Sequence, residues 1–163
     1  MDIFLSTHIN KIDAKGRVSV PATFRTALSS SATGQATGVI IYRALHHDAL
    51  EGCSPTHLEL LSQSMDKLDL SPETYELIET TIFGGSVHVP LDAEGRMILP
   101  EHLRDTAGIT DSAAFVGRRN TFQIWQPVKF TTYMESQRKQ AKQQDVSLSK
   151  IIADAKAKLG GAQ

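Results

Sequence analysis

Residues 13–25 read DAKGRVSVPATFR and residues 92–104 read DAEGRMILPEHLR, so that Asp, Ala, Gly, Arg, Pro and the closing Arg recur in one order. A phrase written twice means that one supersecondary unit is built twice, and each matched residue can be given a structural role. Asp suits the first position of a four-residue turn, because its carboxylate accepts backbone N–H groups, and Gly suits the last, where φ is often positive. Apolar runs flank both turns, residues 8–12 and 18–20 in the first copy and 87–91 and 97–99 in the second, and these read as strands. Pro21 and Pro100 end the strands and are expected to open short helices at the first helical position. Those helices run through Phe24 and Leu103, with Val20 and Leu99 as caps.

A second pair of strands follows each short helix. In the second copy it is AAFVGRRNTFQIW with RRN as the turn, and in the first copy GVIIYRALHHDALEG fills the same slot. Both halves therefore share the order strand, turn, strand, helix, hairpin. Between them, Ser54-Pro55 and Ser71-Pro72 each read as an N-cap followed by the first helical residue. Leu58, Leu61, Met65 and Leu68 recur at helical spacing, as do Tyr75, Ile78 and Ile82 before the stop at Gly84-Gly85. Gln126-Pro127 starts a further helix. Leu148, Ile151, Ile152, Ala155 and Leu159 make one apolar stripe ending at Gly160, and residues 137–144 form a solvated helix or a linker.

The expected organisation is a first module over residues 5–52, a helical connector over 53–84, a second module over 85–128 and a C-terminal helical extension over 129–163. The fold class is α+β, mainly β, with a pseudo-symmetric core of two modules and flanking helices. At 163 residues and 40% hydrophobic content the chain can bury such a core. No apolar run is long enough to span a bilayer and no signal-peptide layout opens the chain, so the cytoplasm is the expected compartment. The single cysteine, Cys53, agrees with that, since it cannot form an intrachain disulfide. Net charge is −1, but it is unevenly spread. Residues 1–30 hold four Lys or Arg against two Asp or Glu, residues 44–80 one against eight, and residues 129–163 seven against three. Different surfaces are thus fitted to different partners.

The doubled D-x-x-G-R-x-x-x-P-x-x-x-R, with a helical pair after the first copy and FQIW after the second, resembles the MraZ family of bacterial transcriptional regulators over residues 4 to about 140. Each unit resembles an AbrB-type swapped-hairpin module. The family's D-x-x-x-R signature falls on Asp13 and Arg17 and again on Asp92 and Arg96. The resemblance implies sequence-specific DNA binding, repression of the cell-division and cell-wall gene cluster, and a homo-oligomeric ring of subunits. Two positions depart from the family pattern. The lysine that precedes Gly-Arg is matched by Lys15 in the first copy but replaced by Glu94 in the second, so the two turns cannot offer DNA the same charge. The opening strand also lacks the glycine that often follows the family's first phenylalanine.

Affinity for DNA comes largely from cations that neutralise phosphates, and a two-stranded ribbon fits the major groove. The candidate DNA-binding residues are Lys11, Asp13, Lys15, Gly16 and Arg17, together with Asp92, Gly95 and Arg96. Arg17 can reach a guanine edge bidentately, or Asp13 and Arg17 can pair across the turn to hold its shape; both roles are open. Arg25 and Arg104 are expected to pair with acidic groups, Gly16 and Gly95 to serve the turn alone, and Arg118 and Arg119 to form a solvated hairpin tip. Double-stranded DNA carrying directly repeated boxes is the expected partner, bound by repeated subunits at raised effective concentration. The expected site of action is the nucleoid. His46, His47, Cys53 and His57 fit no common zinc spacing, and no catalytic motif stands out. No enzyme activity, cofactor, metal, membrane partner or small-molecule ligand is therefore expected. The alternative function is an AbrB-like oligomeric protein-interaction module that does not read DNA.

Overall fold

A computed structural model describes residues 3–29 and 36–161; residues 30–35, within the expected first module, and 162–163, at the end of the expected extension, lie outside the described residues. The chain divides into two compact units, one ending at Pro127 and the other beginning at Val128. The first unit opens with β1 (Thr7–Lys11), β2 (Arg17–Ser19), α1 (Ala22–Leu28), β3 (Gly38–Arg43) and β4 (Leu50–Cys53). After α2 (Pro55–Lys67), α3 (Pro72–Ile78) and a π-helical turn (Glu79–Phe83), the same order returns. It comprises β5 (Val87–Pro90), β6 (Arg96–Ile98), α4 (Glu101–Ala107), β7 (Ser112–Arg118) and β8 (Thr121–Trp125).

The two copies are interleaved. The large sheet is antiparallel, in the order β1-β7-β8-β4-β3-β5, and a separate ribbon pairs β2 with β6. Exchanging β1 with β5, β3 with β7 and β4 with β8 returns that order reversed, so an approximate twofold relates the halves. Thr7 faces Val116 and Lys11 faces Ser112, whereas Gly38 faces Pro90 and Ile41 faces Val87. Each opening strand therefore pairs with the other copy's hairpin. The two arms of each expected local hairpin diverge instead of pairing along their length. In the first copy they touch through the Ile12–Val18 bridge, the turn itself and a bond from Asn10 Nδ2 to the Ser19 carbonyl at 2.7 Å.

Alternation explains the split. Val18 and Met97 face each other in the ribbon and are buried, which leaves Arg17, Ser19, Arg96 and Ile98 on its outer face. Beneath it Phe4, Phe24, Phe115 and Phe122 pack edge-on or tilted, with ring centroids 5.1–6.3 Å apart. Val20, Leu99, Leu103 and Ile41 complete this core.

The helix caps follow the sequence in one place and differ in another. Ser54 Oγ accepts from the His57 amide at 3.1 Å, and Ser71 Oγ accepts from the Thr74 amide at 3.2 Å, with Pro55 and Pro72 as first helical residues. Pro21 and Pro100, by contrast, are themselves the N-caps of α1 and α4, with ψ of 140° and 132°. Val20 and Leu99 are buried strand-end residues, and their amides are used elsewhere, as described below. The second unit holds all but the first residue of α5 (Pro127–Gln143), which absorbs most of the glutamine and lysine run as exposed helix, and α6 (Leu148–Gly160), capped by Ser147. Leu148, Ile151, Ile152 and Leu159 of α6 are exposed. Among the described residues no helix is long and apolar enough to cross a membrane.

Candidate nucleic-acid interface

Both turns are built from the same bonds. At the first, the Gly16 amide donates to the Asp13 carbonyl at 3.0 Å, and the Asp13 amide donates to the Arg17 carbonyl at 3.0 Å. Asp13 Oδ1 accepts from the amides of Lys15 and Arg17 at 3.0 and 2.9 Å, while Oδ2 accepts from Arg17 Nε at 2.6 Å. At the second, Asp92 Oδ1 accepts from the amides of Glu94 and Arg96 at 2.9 Å each, and Oδ2 from Arg96 Nε at 2.9 Å. Bonds to a carboxylate favour its charged form. The Arg17 amide, helped by the Arg17 side chain and the Lys15 amide, holds Asp13 below the ordinary carboxylate range, and the Arg96 amide and side chain do the same for Asp92. The pairing across the turn, one of the two roles left open for Asp13 and Arg17, is thus present in both copies.

Each turn is also braced by the other copy. Arg25 of α1 donates through Nη1 to the Glu94 carbonyl at 3.1 Å, and a methyl group built on Gly95 would overlap its guanidinium. Arg104 of α4 donates through Nε to the Leu99 carbonyl at 3.1 Å and lies against Gly16, where an added Cβ would meet Nη2 at 3.3 Å. The Val20 amide donates to the Gly95 carbonyl, and the Leu99 amide to the Gly16 carbonyl, each at 3.0 Å. Two sequence expectations are corrected here. Arg25 and Arg104 bond main-chain carbonyls rather than acidic side chains: interleaving brings the Glu94 carbonyl of the other copy's turn over α1, whereas Arg104 bonds the Leu99 carbonyl just ahead of its own helix. Gly16 and Gly95 serve close approach as well as their positive φ of 82° and 77°.

The result is a stiff outward face. Arg17 and Arg96 lie diagonally across the ribbon, since Arg17 faces Ile98 and Ser19 faces Arg96. Such diagonal neighbours are roughly 7–8 Å apart. Each arginine side chain is 33% exposed. Only Nε of Arg17 is engaged, so both its terminal nitrogens are without a partner among the described residues. Arg96 is more encumbered, because Nη2 also lies 3.5 Å from Glu94 Oε2. The Asp92 hydrogen bond, followed by the charges of Asp92, Glu94 and Asp13, pushes its pKa up. Lys11 and Lys15 are exposed beside the first turn. A concavity of about 330 Å³ between β5 and the ribbon is lined by Arg17, Arg96, Met97 and Ile98. Ile98 itself is 59% exposed, an apolar contact on the outer face that the sequence reading did not single out.

The remaining candidates lie elsewhere. Arg118 closes β7 and Arg119 takes φ 74° at the tip of that hairpin, bonded to Phe4, a strand's length from Lys11 along the β1–β7 pair. Cys53 is buried in β4, and burial together with the Glu51 charge pushes its thiol up to about 12. His46 and His47 lie between β3 and β4, and the His57 amide serves the α2 cap. Among the described residues no group of three or more His, Cys, Asp or Glu is placed to hold a metal ion.

Two interleaved swapped hairpins, each turn pinned by an Asp–Arg pair and braced by the other copy, define the AbrB-like class of β-rich modules. The model of a family described as "MraZ protein", antitoxin-like, matches residues 82–150. The transcriptional regulator MraZ of Rickettsia felis is 41% identical over 148 residues, covering 91% of this chain and 97% of that protein. Its counterpart in Rickettsia bellii (strain OSU 85-389) is 43% identical over 149 residues with the same coverage. The chain belongs to the MraZ family, which is one of transcriptional regulators and not of enzymes.

Proposed function

We propose that this chain is a cytoplasmic, nucleoid-associated regulator that binds double-stranded DNA sequence-specifically and represses the cell-division and cell-wall gene cluster of its bacterial host. The observation that carries the reading is Arg17, on the outer face of the ribbon and held by Nε, with neither terminal nitrogen bonded among the described residues. That geometry suits the O6 and N7 acceptors of guanine in the major groove. Lys11 and Lys15 supply phosphate contacts, and Asp13 and Gly16 fix the turn that aims them. Asp92, Gly95 and Arg96 form the second, weaker contact. The modules over residues 5–52 and 85–128 act together as one reading head, joined by the connector over 53–84 and followed by the extension over 129–163.

One such head offers few cations, so affinity is built by repetition. Subunits assembled as a ring meet directly repeated boxes at raised effective concentration. The open edges β1 and β5, with Leu5 and Ile9 exposed near the first, support association between copies. The acidic α2–α3 segment exposes Leu60, Leu68 and Leu77 and favours a second reading, a protein-docking module without DNA binding. Charge reversal separates the two. The double variant K15E/R17E is expected to lose retention of operator DNA in gel shifts while light scattering returns an unchanged oligomer mass. Retention by that variant would favour the docking module, and a monomer mass for the unaltered protein would defeat the ring.

A further inference from the structure

The halves match in backbone but not in charge. Under the approximate twofold, Asp13 corresponds to Asp92 and Arg17 to Arg96, whereas Lys11 corresponds to Pro90 and Lys15 to Glu94. The four first-copy positions sum to +2, from Lys11, Lys15 and Arg17 against Asp13, and the four second-copy positions to −1, from Arg96 against Asp92 and Glu94. A ribbon with true twofold symmetry fits a groove equally well after rotation by 180°, because B-DNA backbones are themselves related by dyads. Only a difference between its ends can fix its direction. Glu94 supplies that difference twice over. Its carboxylate is 67% exposed beside the ribbon, where it repels phosphate, and it lies 3.5 Å from Arg96 Nη2, an ion pair for which Arg17 has no counterpart at its terminal nitrogens. The bracing of Gly95 by Arg25 keeps this turn in place, so the repulsion is not relieved by backbone movement.

We propose that Glu94 is the residue that sets the polarity of the reading head on DNA, directing the Lys15 turn toward phosphate and excluding the reverse orientation. The inference rests on the DNA-binding reading above. It makes the binding box non-palindromic, with each subunit facing the same way along it. Like-charge juxtaposition used to reject a wrong mode is a common source of specificity.

The test labels one exposed turn at a time with an iron chelate that cleaves DNA, through Ala14→Cys or Ala93→Cys. The native Cys53 is buried and does not compete for the reagent. On a single box the two labels are expected to cut at opposite ends. Adding E94K is expected to make each label cut at both ends, and to steepen the log–log salt dependence by about 0.9 for each phosphate gained. E94Q is expected to blur the cutting pattern with less change in salt slope. Should a label block binding, unlabelled protein offered box pairs in direct or inverted arrangement gives the same answer, since the preference for direct pairs is expected to shrink in E94K. Unchanged polarity in an E94K protein of normal mass and thermal midpoint overturns the proposal. Absence of DNA retention by the unaltered protein overturns the DNA-binding reading instead.

Discussion

Asp13 and Asp92 each satisfy two amides and one arginine Nε, which makes the carboxylates the organising groups of the interface. Both are held below the ordinary range, first by the arginine amide of their own turn. A carboxylate depressed on folding contributes stability that is fully present above its unfolded value of about 3.9, and that is lost as the pH falls through the folded value below it. The thermal midpoint is therefore expected to drop more steeply below about pH 4 in the unaltered protein than in D13N/D92N, which starts lower at pH 7; parallel acid limbs would refute the assignment. These aspartates were legible in the sequence because a turn uses only local bonds. The partner of Arg25 was not, since it meets a carbonyl 69 residues away and no periodicity records that. The caps misled for a related reason. A proline with φ near −55° fits either the cap or the first helical position, and only ψ, set by the packed strand before it, decides.

At the scale of elements, each short helix acts as a strut for the opposite turn. Replacing either turn glycine by alanine forces a left-handed residue, which costs about 1–2 kcal/mol. The struts make the two positions unequal. Gly16→Ala meets the end of Arg104 at 3.3 Å and Ile98 Cγ2 at an ordinary 3.7 Å, whereas Gly95→Ala must expel the Arg25 guanidinium and its bond to Glu94. Urea titrations are expected to show Gly95→Ala as the more destabilising by on the order of 1 kcal/mol or more, the scale of a hydrogen bond to a charged group. Equal losses would mean that Arg25 moves aside freely. The sequence announced these helices and their order correctly. It also announced hairpins, but those open into β1 with β7 and β2 with β6, because burying Val18 against Met97 requires a strand from each copy.

For the whole molecule, interleaving means that neither half owns a complete sheet, as β1, β3, β4 and both ribbon strands all draw partners from the other copy. A chain divided between Gly84 and Gly85 is expected to give two fragments that show no cooperative unfolding as monomers and regain it when mixed at equal stoichiometry. A sharp transition from one monomeric fragment would show that a half stands alone. The duplicated phrase foretold two modules, while their exchange entered the sequence reading only through family resemblance, because long-range pairing leaves no local mark. The same exchange bears on birth at the ribosome. Thr7 must wait for Val116, and at roughly 5–20 residues per second of synthesis that is a delay of roughly 5–20 s. The earliest strand made is thus among the last to be sheltered, and a nascent chain of this kind is open to capture by chaperones or by neighbouring copies on the same message throughout that interval.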